Sequence, residues 1–262
     1  MAKVLIPLPD HDFDVTEVAV PWKLLAEAGH EVVFATEAGA TPACDPLLIT
    51  GVVFGALGAR AEPIAFYREL ERAPELLAPR TWASCRADDF DALLLPGGHA
   101  PGMRQYLGSA GVQQLVAAFF ATPKPIAAIC HGVLVAARAK RGDGASVLHG
   151  VRTTCLPKYM ERTAYLSTFW RRGRYYRTYP AYVEDEVRAA LARPEDFELG
   201  PRTLSKRGTR DDHAHAFVVE DGRYVSARWP GDAYLFADKL IERLPAASRT
   251  KQPAPAPRDR NA

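Results

Sequence analysis

The chain has 262 residues and is 48% hydrophobic, enough to bury a large core as one domain with elaborations. Acids and bases are interspersed at a formal net charge of +2, so no strong field argues for nucleic acid or a membrane surface as partner. The apolar run in "MAKVLIPLPDHDFD" is too short for a signal peptide, no span reaches transmembrane length, and the four scattered cysteines form no CxxC pair. The cytoplasm is therefore the expected compartment, with neither a disulfide framework nor a thiolate metal site signalled.

In chain order, "KVLIPL" (3–8) reads as a short buried strand, "VTEVAVPWKLLAEAG" (15–29) as a helix stopped by Gly29, and "HEVVFAT" (30–36) as a second strand. Residues 40–87 are rich in Pro and Gly around one short helical piece, "IAFYRELERAPELL". "DDFDALLLPGG" (88–98) reads as a strand closed by a Gly-Gly turn, "VQQLVAAFFAT" (112–122) as a helix, "PIAAIC" (125–130) as a strand and "HGVLVAARA" (131–139) as a helix. This alternation, with nearly continuous apolar strands, predicts a parallel sheet covered by helices on both faces. Residues 156–200 are dense in aromatics and arginine and read as a cap insertion. "AHAFVVEDGRYVSAR" (214–228) predicts a hairpin across Asp221-Gly222, "PGDAYLFADKLIERL" (230–244) a closing helix, and residues 246–262 a disordered tail. Residues 1–245 thus form the expected folded unit.

The step "AAICHGVLVAA" (127–137) delivers a thiol, Cys130, from a strand into a tight turn, with Ala128 and Gly132 beside it and a helix directly after. That pattern resembles a nucleophile elbow, in which only small flanking residues let two chain segments pass closely. The helix N-terminus would lower the thiol pKa and hold an oxyanion. The plainer reading is a buried structural cysteine. Gly97 and Gly98 end a neighbouring strand and can offer backbone N–H groups to the same crevice, and His99 lies at its mouth, either touching substrate or merely solvated. Glu17 has the spacing of a capping box with Asp14, but Pro21 four residues later should distort the helix and let the carboxyl turn into the crevice.

The blocks "EVAVP" (17–21), "DALLLPGG" (91–98), "AICHG" (128–132) and "DGRYVSARWPGDA" (221–233) resemble the DJ-1/PfpI superfamily. That family is also called ThiJ/PfpI, or type 1 glutamine amidotransferase-like, and the stretch from Thr16 to "DP" is most similar to its Hsp31-like branch. The resemblance implies a flavodoxin-like three-layer α/β sandwich with a parallel sheet. It also implies Cys130 as the reactive thiol, Glu17 as its hydrogen-bond partner and His131 as a catalytic partner. Hsp31-like members add an acidic residue that orients the His; Glu161 in "CLPKYME" is the match, or else a helix-surface charge. No cofactor or metal is implied, and a homodimer is.

Two departures bear on function. A glutaminase of this fold needs a downstream His-x-Glu, but "DDHAHAF" offers His213 and His215 without that Glu, so amidotransferase activity is not expected. The two histidines could share a metal, although ordinary polar residues at a strand start are the favoured reading. The expected activity is a cofactor-independent, glyoxalase III-like conversion of a 2-oxoaldehyde to a 2-hydroxy acid, with Gly98 and His131 N–H groups holding the oxyanion. The alternatives are thiol-dependent hydrolysis or hydration of an amide, peptide or isonitrile, and a stress chaperone or redox sensor.

Overall fold

The computed structural model describes residues 1–203 and 205–245; the expected disordered tail at 246–262 lies outside the described residues. The first part of the chain forms β1 (Lys3–Pro7), β2 (His11–Phe13), α1 (Val15–Glu27), β3 (Glu31–Thr36), β4 (Ala43–Cys44) and α2 (Pro46–Thr50). Then come α3 (Ala61–Leu70), α4 (Pro74–Leu77), β5 (Arg80–Thr81), β6 (Ala92–Leu95), α5 (Met103–Leu107) and α6 (Ala110–Phe120). The elbow strand β7 (Ile126–Ile129) leads into α7 (Gly132–Arg138), followed by α8 (Lys158–Arg172), α9 (Val183–Ala190), β8 (Val218–Asp221), β9 (Tyr224–Ala227) and α10 (Ala233–Ile241).

One seven-stranded sheet in the order β5-β3-β1-β6-β7-β9-β8 carries the fold, and only β8 runs antiparallel to its neighbour. The central strands are apolar without alternation because both faces are covered: every residue of β6 and β7 is buried. α1 packs with α3 and α10, and α7 packs with α5, α6 and α9, giving the helix layers of a flavodoxin-like sandwich. From β1 the chain winds outward through β3 to β5, then returns to β6 on the other side of β1. That reversal leaves a crevice beyond the carboxyl ends of β1 and β6, where ligands of such sheets bind.

Some details differ from the sequence reading. β6 is confined to Ala92–Leu95, because residues 87–89 form a 3₁₀ turn and the chain leaves the sheet at Pro96. The strand expected from residue 214 starts at Val218, since Ala216 N–H closes a turn on the His213 carbonyl at 2.9 Å. A small parallel pair, β2 with β4, was not anticipated; its two strands are too short for a periodic pattern.

The corner after β9 is fixed by a buried ion pair. Arg228 and Asp232 are 1% and 0% exposed, and the guanidinium donates to both carboxylate oxygens, at 2.9 and 2.8 Å. Asp232 also accepts from the N–H groups of Phe217 and Arg228. Removing one member leaves a buried charge without its partner, so Asp232→Ala is expected to cost about 3–5 kcal/mol, read as an earlier midpoint in urea unfolding. A wild-type midpoint would mean the pair contributes nothing to stability.

Candidate active site

Cys130 follows β7 directly and sits at φ 56°, a left-handed conformation that a non-glycine residue adopts only under constraint. The constraint comes from both sides. Cys130 N–H is held by the Ala227 carbonyl at 3.0 Å, and α7 begins two residues later. A Cβ on Gly132 would lie 2.2 Å from the Leu95 carbonyl oxygen, so the turn can cross the end of β6 only because that residue is glycine. This is the geometry of a nucleophile elbow.

Glu17 does not close a capping box. Asp14 Oδ1 accepts from Thr16 and Glu17 N–H at 2.8 and 3.1 Å, as an N-cap should, but Asp14 N–H donates to the Gly97 carbonyl at 3.0 Å. The Glu17 carboxyl turns away and accepts from Gly97 N–H at 2.8 Å through Oε2. Its Oε1 has no hydrogen-bond partner among the described residues, and the carboxyl lies close enough to the Cys130 thiol for each to shift the other's protonation. The expected helix distortion at Pro21 is not the cause, for α1 runs through Pro21 unbroken. The donor on Gly97 is. Burial, and next the neighbouring Asp14, push the Glu17 carboxyl well above its ordinary range, so it is neutral and able to donate toward sulfur.

The expectation of an acidified thiol is overturned in the resting protein. His131 N–H does favour the thiolate, as a helix start should, but burial and then the Glu17 and Asp14 carboxyls push Cys130 up instead. A thiol and a carboxyl this close and this buried cannot both ionise.

His131 is fully buried, and burial pulls its imidazole down to about 3, so the ring is neutral. Its tautomer follows from its partners. Thr178 Oγ1 donates to the His99 carbonyl at 2.7 Å, so toward His131 Nε2, 3.3 Å away, it must accept. Nε2 therefore carries the proton, and the Nδ1 lone pair faces Cys130 Sγ at 3.5 Å. Thr178, not Glu161, orients the histidine. Glu161 Oε2 accepts from Val183 N–H at 3.0 Å and Oε1 lies 3.6 Å from Arg177, which corrects the expected Glu161–His131 contact. Glu161 is nevertheless no surface charge: it is 2% exposed, and burial raises its carboxyl to about 7.

A cavity of about 340 Å³ opens onto Cys130. His99 lines it, wedged between Tyr175 and Tyr176 at ring distances of 4.6 and 4.2 Å, with Nε2 buried and unpartnered among the described residues. It is part of the wall, not a solvated ring. Gly97 N–H is committed to Glu17, so Gly98 N–H is the member of that pair left for a ligand. Gly98 has φ 151°, and a Cβ there would sit 2.9 Å from the Asp12 carbonyl. From 156–200, Leu156, Met160, Glu161 and Tyr176 complete the wall over the thiol. His213 lies outside it, facing Asp238 at 3.4 Å, and no group of three potential metal ligands occurs among the described residues. Thr178 and the cavity residues Arg207 and Trp229 were not singled out from sequence, where no spacing or periodic pattern marks them.

Two outcomes are expected from this geometry. Cys44, Cys85 and Cys155 are buried away from the cavity, so limited iodoacetamide should label Cys130 first; mass mapping that finds Cys85 or Cys155 labelled earlier would contradict it. Burial holds Glu161 at about 7 against an ordinary 4.5, so the folded state binds more protons than the unfolded one between those values. Its contribution to stability is complete below about pH 4.5 and falls as pH rises to 7. Tm measured from pH 4.5 to 8 should accordingly fall less steeply in Glu161→Gln than in wild type.

The ThiJ/PfpI family-like model matches residues 8–201. An uncharacterised protein of Schizosaccharomyces pombe is 30% identical over 247 residues, covering 91% of this chain and 82% of that protein. A deglycase of Pyrococcus abyssi is 28% identical over 244 residues, covering 92% of this chain and 99% of that one. Among solved structures, glyoxalase III of Candida albicans superposes with a TM-score of 0.68 at 17% identity over 94% of this chain and 98% of its own, a likeness of fold. No helix among the described residues is long and apolar enough to cross a membrane. The match across the sheet and the elbow shows that the chain belongs to the ThiJ/PfpI family, the DJ-1/PfpI superfamily.

Proposed function

We propose that the chain is a cysteine-dependent enzyme that processes reactive carbonyl compounds, converting a 2-oxoaldehyde to a 2-hydroxy acid without a bound cofactor. Deglycase relatives and the glyoxalase III fold neighbour support carbonyl chemistry in general. The observation that carries the finer reading is the convergence on one buried sulfur of a neutral carboxyl, Glu17, and an imidazole lone pair, His131 Nδ1.

In this reading the thiol adds to the aldehyde carbon. The C–S bond forms, the sulfur proton passes to His131 Nδ1 as attack proceeds, and Glu17 gives its proton to the aldehyde oxygen, so that a hemithioacetal forms and Glu17 is left as a carboxylate. A neutral, weakly basic imidazole suits transfer during attack and not before it. In this scheme the Gly98 and His131 N–H groups hold the oxyanion as it develops. The Glu17 carboxylate so formed takes the proton from the aldehyde carbon while protonated His131 gives its proton to the adjacent carbonyl oxygen; from this enediol Glu17 returns its proton to the second carbon and His131 takes the hydroxyl proton from the first. This leaves a thioester, which water hydrolyses to the 2-hydroxy acid and the free thiol.

Methylglyoxal turnover, followed as lactate, tests the scheme. Cys130→Ser should abolish it. Glu17→Gln keeps shape and fold but cannot accept a proton from carbon, so turnover should fall by roughly 10²–10⁴ with Cys130 still alkylated. Thr178→Val removes one acceptor worth about 1 kcal/mol, so kcat should drop roughly fivefold with KM little changed. Wild-type turnover in Glu17→Gln would rule out the proton shuttle. Absence of turnover in the wild-type protein would instead favour hydrolysis or hydration of an amide or isonitrile at the same thiol.

A further inference from the structure

The cavity on Cys130 holds a cation that makes no close ion pair among the described residues. Arg207 lines it, stacked over Trp229 with its guanidinium carbon 4.9 Å from the ring centroid. It forms no ion pair and no hydrogen bond with any described side chain or carbonyl, unlike the other sheltered arginines. Arg228 grips Asp232, Arg138 grips Glu186 and Arg177 faces Glu161. Asp14 shares the cavity and attracts Arg207 from beyond ion-pair distance, but its Oδ1 is held by the first turn of α1 and it makes no hydrogen bond to the guanidinium. The segment is anchored, since Gly208 N–H donates to the Gly231 carbonyl at 2.8 Å. A sheltered, unpaired guanidinium in a ligand cavity is a built receptor for an anion.

The rest of the lining narrows what that anion belongs to. Leu48, Leu57, Met160, Ala164 and Trp229 give the wall an apolar character, and at about 340 Å³ the space exceeds what a three-carbon oxoaldehyde fills. Asp14 and Glu161 line the same space, so a dianion such as a phosphate monoester would be opposed, whereas a single negative charge suits the one cation that lines it among the described residues. We propose that Arg207 anchors a carboxylate of the substrate, so that the carbonyl compound captured by Cys130 is an acidic one with an apolar body. The inference rests on Cys130 being the nucleophile proposed above; it does not require the glyoxalase step.

The test uses two thiol reagents of the same shape and different charge. Iodoacetate and iodoacetamide each form an S–C bond and expel iodide, and only the first carries a carboxylate. The ratio of their rates at Cys130 should exceed the ratio measured with glutathione. In Arg207→Met that ratio should fall by about tenfold, with most of it retained in Arg207→Lys. If Arg207 merely supported the thiolate, both rates would fall together and the ratio would not move, which would overturn the proposal. A second arm needs no variant: hexanoate should slow iodoacetamide labelling of wild-type Cys130, and hexan-1-ol should not. Equal protection by both also overturns it. Because neither arm depends on turnover, an anion preference without methylglyoxal activity leaves the anchor standing while the reaction changes; turnover without any anion preference does the reverse.

Discussion

Three chain segments converge where only a hydrogen atom fits. A Cβ on Gly97 would lie 2.7 Å from Glu17 Oε2, 2.7 Å from His131 N and 3.0 Å from Cys130 Cβ. Through this one peptide the turn after β6 is clasped to the start of α1: its carbonyl takes Asp14 N–H, and its N–H takes the Glu17 carboxyl. The same approach lets the elbow after β7 lie against both. Carboxyl, thiol and imidazole are therefore held by backbone at the end of a rigid sheet, with little left to side-chain freedom. Positions fixed in this way cost no reorganisation when charge develops during a reaction.

Burial, more than any single partner, decides the charge state of the site. It keeps His131 neutral, raises Glu17 and opposes the thiolate at Cys130, each because an ion there would lose its water. A helix N-terminus at the elbow acts in the opposite direction and is outweighed by burial and the neighbouring carboxyls. The consequence is a centre of poised neutral donors and acceptors at Glu17, Cys130 and His131, in which proton transfer accompanies bond formation. Arg207 is a cation in the same cavity, and the lack of a close ion pair to it among the described residues is what singles it out.

The parts legible in the sequence are those that sterics or sheet rules impose. Continuous apolar strands gave away a parallel sheet, and Ala128 and Gly132 around Cys130 announced a close crossing that the Leu95 carbonyl at 2.2 Å now accounts for. Glu17 was legible as a residue but not for the reason first suggested, because a backbone donor 80 residues away in sequence, and not Pro21, draws its carboxyl inward. Glu161 shows where spacing fails. Its distance from Cys130 along the chain says nothing of which way α8 turns its side chains, and here the carboxyl meets Val183 and Arg177. Thr178 and Arg207 lie in irregular stretches, where no period ties a residue to a face and only the folded contacts reveal a role.

Those two irregular stretches do more than close the cavity. Thr178 belongs to the segment between α8 and α9, Arg207 to the segment before β8, and each brings one polar group to bear on a centre otherwise built by the sheet. The division is a physical one. Groups that must hold the reacting sulfur to within a fraction of an ångström come from strand ends and helix starts, where the hydrogen-bonded backbone fixes them. Groups that select a ligand come from connections, which can change length and composition without disturbing β1, β6 or β7. A fold arranged this way can keep the thiol chemistry of the elbow while the cap and the 207 segment determine which carbonyl compound reaches it.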